Sequence, residues 1–164
     1  MGVAAASFLG WDNIPEAIRA LDTMARPDYV DLFTASTREL TDTSPEQWAR
    51  AAFEGASPAG RFFAWQVVLR LRLHTRPSPD YVAGWKIADR GEHWIRLEAS
   101  SWFLTAHCVF QIAERQLSFA TFIRYDRSIA AVVWPTVSGI HRRAAPGLLH
   151  HAVKVARETA ELCP

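Results

Sequence analysis

Between Tyr81 and Trp134 the chain is made of short segments parted by breaks of a few residues, and no other feature restricts its fold as much. The segments are Tyr81–Asp89, Trp94–Ser100, Leu104–Ala113, Leu117–Tyr125 and Ile129–Trp134, each read as a strand. Arg90-Gly91-Glu92, Glu114-Arg115 and Asp126-Arg127-Ser128 supply breaks of turn character, and Ser100-Ser101 is a bulge or turn. A crossover to a parallel neighbour needs about a dozen residues or more, so these breaks predict antiparallel neighbours. Side chains on a strand alternate between faces. One face therefore carries Ile95, Leu97 and Ala99, then Leu104, Ala106, Cys108, Phe110 and Ile112, then Leu117, Phe119, Thr121, Ile123 and Tyr125. This face should point inward. Arg96, Glu98, Ser100, Thr105, His107 and Gln111 lie on the other, which reads as a solvent face.

Before this set come one more strand and a series of helices. Asp28–Ser36, rich in aromatic and β-branched residues, is a strand. Residues 13–25 carry Ile14, Ile18 and Leu21 at helical spacing, with Asn13 as cap and Pro15 in the first turn. Ser44-Pro45-Glu46 is a helix start, and that helix runs through Trp48, Ala52 and Phe53 to Gly55. A second starts at Ser57-Pro58, places Phe62, Trp65, Leu69 and Leu73 on one face, and ends at Pro77-Ser78-Pro79. Its arginines, Arg70, Arg72 and Arg76, suit a helix C-terminus.

Ser138 to Glu161 reads as the last and longest helix, starting just after Trp134-Pro135. Its inner stripe is predicted to pass through Ile140, Ala144, Leu148, His151 or Ala152, Val155 and Thr159, with a kink at Pro146. Segregated strands and helices define the α+β class. A sheet with one apolar face must cover it, and only the last helix is long enough. The expected architecture is a helix-grip fold: a curved antiparallel sheet wrapped around a long C-terminal helix, with two short helices after strand 1. Sheet twist leaves room at one end for an apolar cavity. The domain reading is an N-terminal extension with a short helix over residues 1–26 and one helix-grip domain over 27–162.

Composition excludes several classes. At 164 residues the chain suffices for one buried core. A net charge of +1 gives no signal for nucleic acid or an anionic membrane surface. The start, Met1 to Gly10, lacks the basic residues of a secretory signal, Ala6 departs from a myristoylation pattern, and no apolar run reaches the ~20 residues of a membrane span. Two distant cysteines, Cys108 and Cys163, make neither a disulfide framework nor a metal cluster, which suits a reduced cytoplasm. No nucleotide-binding, hydrolase or zinc motif is present, so no cofactor and no metal are expected.

Four segments carry a resemblance. They are Asp28-Tyr29-Val30-Asp31-Leu32-Phe33, Pro45 to Phe53, Val82-Ala83-Gly84-Trp85-Lys86-Ile87, and the stretch around Pro135 and His141-Arg142. In this order they resemble the START-like or SRPBCC superfamily, which includes lipid-transfer domains, polyketide cyclases and Bet v-like plant allergens. The closer resemblance is to a bacterial family in it known only as a domain of unknown function. The resemblance spans roughly residues 27–155. It implies the helix-grip fold, and it carries over no catalytic residue.

The candidate ligand-binding residues follow from the inward faces and the aromatic load. They are Trp65, Trp85, Leu97, Cys108, Phe110, Phe119, Thr121, Ile123, Trp134, Ile140, His141, Leu148 and His151. At the supposed start of the last helix, His141 with Arg142 and Arg143 either binds an anion or simply bonds the preceding loop. His150-His151 sets one imidazole toward the sheet, as a ligand contact, a general base or a packing residue. Cys108 has no basic neighbour in sequence and reads as a small core residue. Seven tryptophans suit an aromatic ligand wall or a filled core equally.

The expected function is binding of a small hydrophobic molecule, such as a lipid, isoprenoid or polyketide, by a cytoplasmic carrier or sensor. No nucleic-acid partner and no stable membrane anchor are expected, and the protein is a monomer or homodimer. The alternatives are a cyclase or hydrolase type of enzyme on the same scaffold, or a cavity-free interaction module. The former needs a polar pair facing the cavity; the latter needs the cavity filled.

Overall fold

The computed structural model describes residues 5–36, 42–55 and 58–162. Seven antiparallel strands form one sheet in the order β1-β2-β7-β6-β5-β4-β3. The strands are β1 (Ala5–Leu9), β2 (Tyr29–Ser36), β3 (Tyr81–Val82), β4 (Trp85–Arg90), β5 (Trp94–Ser100), β6 (Leu104–Ala113) and β7 (Gln116–Tyr125). A short helix α1 (Glu16–Arg19) lies between β1 and β2. Helices α2 (Pro45–Glu54) and α3 (Pro58–Arg61) follow β2, and α3 continues as a π-helix over Phe62–Val68. The last helix, α4 (Ala130–Glu161), has 32 residues and contacts α2, β2 and β7. This is the helix-grip arrangement of the α+β class.

Strands β5, β6 and β7 lie where alternation sets them. In the β6–β7 ladder Cys108 opposes Thr121 and Phe110 opposes Phe119, and Leu97 of β5 opposes Cys108. Their turn works because Glu114 and Arg115 both take positive φ, 51° and 63°, as a two-residue hairpin loop of this hand requires. The inward faces form one core with Phe33, Trp48, Phe53, Trp85 and Leu149. Helix α2 starts as read: the Ser44 hydroxyl accepts from the Gln47 backbone N–H, and the Gln47 side chain accepts from the Ser44 N–H.

Several expectations are overturned. The segment Ile129–Trp134 is not a strand but the first turns of α4. Strand β7 is already paired on both sides, by β2 and β6, so a strand after it has no adjacent edge to join. Ala130, Trp134 and Val137 are buried at helical spacing, a pattern that the β-branched run Val132-Val133 obscures. His141 and Arg142 consequently sit well inside a helix, and a helix N-terminus supplies nothing to them. The most buried stripe of α4 passes through Ser138, Ala145, Leu149, Ala152, Val153 and Ala156, while Ile140 is 63% exposed and Thr159 is exposed.

The second helix after β2 stops at Val68 instead of reaching Leu73. Arg70 takes φ 55°, and Leu69 and Leu71 then alternate inward, with the Arg72 N–H bonded to the Ser100 carbonyl and the His74 N–H to the Gly84 carbonyl. Backbone pairing with the sheet has outweighed the helical spacing of the leucines. The expected strand Tyr81–Asp89 is folded into a hairpin, because Ala83 (φ 49°) and Gly84 (φ 88°) turn the chain between β3 and β4. The leading helix over 13–25 shrinks to a 3-10 turn at Trp11–Asn13 and the four residues of α1. Asn13 does not cap α1; its side chain donates to the Leu9 carbonyl.

The convex face is not a solvent face. Ile14, Ile18 and Met24 cover Val30, Leu32, Val109, Ala120 and Phe122 in a second core. His107 does point outward, yet it is only 7% exposed. Its Nδ1 lies 2.5 Å from Asp22 Oδ1, and Arg96, also buried, donates to the Leu21 carbonyl at 2.9 Å. Alternation reports which face a residue takes and says nothing about what covers it.

Helices α2 and α4 meet at a close approach. A Cβ built on Gly55, at the end of α2, would collide with the His151 imidazole and crowd the Ala51 carbonyl. Gly55→Ala should therefore destabilise the fold by about 1–3 kcal/mol, an overpacking cost. Thermal unfolding checks this, and His151→Ala in the same chain should return part of the loss.

Candidate functional site

A cavity of about 450 Å³ opens between α4, the inner face of β6 and β7, and the π-helical segment. Its floor is Ala106, Cys108, Phe119, Thr121 and Ile123. Trp65 and Leu69 close one side, with Trp85 and Phe53 beneath them. Helix α4 contributes Trp134, Val137, His141, Ala144, Leu148 and His151, spaced three and four apart, with Ile140 and Gly147 also on the lining. Thus Ile140, Ala144, Leu148 and His151 of the expected stripe border the cavity, Ala152 packs as expected, and the packed stripe is otherwise rotated by about one residue. Small side chains make the room: Ala106 on the floor, and Ala144 and Gly147 on the helix. A Cβ on Gly147 would meet nothing within 4 Å.

Eleven of the thirteen candidate residues line this space: Trp65, Trp85, Cys108, Phe119, Thr121, Ile123, Trp134, Ile140, His141, Leu148 and His151. Leu97 and Phe110 do not. Both are fully buried on the inner face, but under α2, whose Phe53 packs on Phe110 with ring centroids 5.5 Å apart. The same Phe53 ring touches Trp65 and Trp85, at 5.2 and 5.7 Å, and so separates the packed half of the sheet face from the open half.

One polar chain enters the apolar lining. His141 Nε2 is 3.0 Å from Asp31 Oδ2 and 3.2 Å from Thr121 Oγ1. The Tyr29 hydroxyl donates to the same Asp31 oxygen at 2.6 Å. Asp31 is 1% exposed, and its Oδ1 is buried with no hydrogen-bond partner. Strand β2 sets this up: Tyr29, Asp31 and Phe33 alternate onto the concave face, with Asp31 opposite Thr121 and Phe33 opposite Phe119. Burial, then the adjacent Asp31 charge, pushes the Tyr29 phenol well above its ordinary range, so Tyr29 stays a donor. Asp31 was absent from the sequence candidates. The available signal was a carboxylate on the inward face of a strand between two aromatic residues.

The remaining polar groups are less engaged. The indole nitrogens of Trp85 and Trp134 are buried and have no hydrogen-bond partner among the described residues. His150 is exposed on α4. Cys163 lies outside the described residues. Among the described residues no three His, Cys, Asp or Glu side chains converge as a metal site, and no helix is long and apolar enough to cross a membrane. A groove of about 430 Å³ lies on the far side of Trp65, but its Arg50 is engaged by Glu46, Glu54 and the carbonyls of Ser78 and Tyr81.

No protein-family model matches the chain, and no curated protein is similar to it. Among solved structures it is similar to PA94 from Pseudomonas aeruginosa, a protein of unknown function described as a candidate regulator. The identity is 12%, the match covers 88% of this chain and 81% of that one, and the TM-score is 0.24.

Burial, followed by the Asp31 charge, pushes the Cys108 thiol far above its usual range, which leaves it a poor nucleophile despite its place on the cavity floor. Cys108 should resist iodoacetamide at pH 8 in the folded protein and react only on unfolding. Peptide mass spectrometry over a denaturant series measures this; rapid native labelling of Cys108 would contradict it.

Proposed function

We propose that the protein binds a small, largely hydrophobic molecule in the cavity under α4, as a carrier or sensor. The observation that supports this best is the open volume itself: about 450 Å³, bounded mostly by aromatic and aliphatic side chains that leave the space unfilled. Pockets of a few hundred Å³ with apolar walls and few polar groups suit small ligands. Affinity would come from removing apolar surface from water, at ~25 cal/mol per Å². The element order and the four sequence segments also support membership of the START-like or SRPBCC superfamily, in a bacterial branch acting in the cytoplasm. Trp65, Trp85, Phe119, Trp134 and Leu148 would form the apolar contacts, with Thr121, His141 and His151 orienting the ligand.

The test has two arms. Native mass spectrometry of freshly purified protein should reveal a bound small molecule, and the fluorophore N-phenylnaphthylamine should bind and be displaced by lipid extract. Gly147→Leu should lower that affinity about tenfold or more by filling the cavity. The same change should raise stability by about 0.5–1 kcal/mol, since leucine is the better helix former. Wild-type protein that carries no molecule and binds no probe would remove this reading.

A second reading, an acid–base enzyme on the same scaffold, draws support from the Asp31–His141 pair. A carboxylate behind an imidazole is the arrangement that orients a general base. It requires turnover, for example of a naphthyl ester, that His141→Gln abolishes with the fold intact.

A further inference from the structure

We propose that the polar contact in the cavity is a hydrogen-bond acceptor, so the preferred ligand is an apolar alcohol or phenol and not a carboxylate or a ketone. This rests on the ligand-binding reading above and adds the chemical class of the ligand.

Asp31 sets the hydrogen-bonding character of this contact. A carboxylate only accepts hydrogen bonds, and it faces His141 Nε2 at 3.0 Å. With a single ring hydrogen, His141 carries it on Nε2, pointing at Asp31, and Nδ1 keeps its lone pair. Nδ1 has no partner among the described residues, and it belongs to a side chain that lines the cavity and is 19% exposed. Among the described residues His141 is the one basic side chain within ion-pair distance of Asp31, and in its uncharged form it leaves that carboxylate's charge uncancelled. A second anion beside this nearly sealed carboxylate is disfavoured. A ketone oxygen would meet a lone pair, whereas a ligand hydroxyl has the hydrogen that Nδ1 accepts.

The other polar groups do not reverse this. The Thr121 hydroxyl lies 3.2 Å from His141 Nε2, across the ladder from Asp31, and so sits at the ring nitrogen that faces the carboxylate and not at Nδ1. His151 lies ten residues further along α4, roughly 15 Å away along the axis, and packs on Gly55. It addresses the opposite end of the cavity. The rings around His141 are Phe33, Phe119 and Trp134, with centroids 5.7–6.2 Å from the imidazole, so the hydroxyl would be presented within an aromatic surround.

Four probes of one shape test the inference by calorimetry and tryptophan fluorescence at pH 8: methylnaphthalene, naphthol, acetonaphthone and naphthoate. Naphthol should bind about tenfold more tightly than methylnaphthalene, the effect of one hydrogen bond to a partly enclosed acceptor. Acetonaphthone should gain nothing over methylnaphthalene, and naphthoate should bind most weakly. Asp31→Asn releases the fixed ring hydrogen and removes the charge. It should bring naphthol and acetonaphthone within about twofold of each other and leave methylnaphthalene unchanged. His141→Phe, an independent check if the first variant does not fold, should lower naphthol to the level of methylnaphthalene. Wild-type protein that holds acetonaphthone or naphthoate as tightly as naphthol overturns the inference, and so does a naphthol preference that survives His141→Phe. If methylnaphthalene binds and naphthol has no advantage, the acceptor fails and the apolar cavity reading stands. If none of the four binds, both fail together.

Discussion

The pairing of β7 with β2 on one side and β6 on the other governs the rest of the molecule. The β6 ladder runs the full length of β7, from Gln116 to Tyr125, the β2 ladder covers Gln116 to Ile123, and together they bring three inward faces into register. Phe119 then lies between Phe33 and Phe110, and Thr121 between Asp31 and Cys108. With both edges of β7 used, the chain leaving it can only turn onto a face of the sheet. It does so as a helix, and that helix has to cover an apolar face wider than itself. The uncovered part becomes the cavity.

How the cover is divided explains why the cavity lies where it does. Helix α2 takes the β5–β6 half, with Trp48 and Phe53 filling the space above Leu97 and Phe110. Helix α4 takes the β2–β7 half, but it presents small residues, Ala144 and Gly147, where a large side chain would close the gap. Into that gap the fold admits one buried carboxylate. Asp31 lies on a central region of the sheet with an unpartnered oxygen, and its company is a phenol, an imidazole and, across the strand, a threonine. A buried carboxylate is costly to keep, and an apolar residue at this position would pack without that penalty. The polar contact that α4 makes with this carboxylate is the ring of His141, 3.0 Å away.

Much of this was legible from residue order alone. Alternation gave the faces of β5, β6 and β7, and the cavity-lining residues on them followed directly, from Cys108 to Ile123. The Ser44 capping box marked the start of α2. What failed did so for one recurring reason: long-range pairing overrode local pattern. Leu69 and Leu73 are spaced for a helix, yet the backbone beyond Val68 pairs with the sheet. Val132 and Val133 favour a strand, yet no free edge adjoins β7. His107 lies on the outer face, as its place in the strand requires, yet residues 10–26 fold over that face and bury it against Asp22.

The sequence by itself determined the α+β class, the antiparallel order of the meander, which side chains face inward, and the presence of a long closing helix. Those are properties of periodicity and of short connections, and both are local. Only the tertiary structure decided which stripe of α4 packs and which borders the cavity, because the two stripes differ by a rotation of one residue and both are apolar enough to be buried. It alone brought Asp31, Thr121 and His141 together from β2, β7 and α4. Nothing in their spacing along the chain encodes that meeting, since it depends on strand register and helix rotation at once.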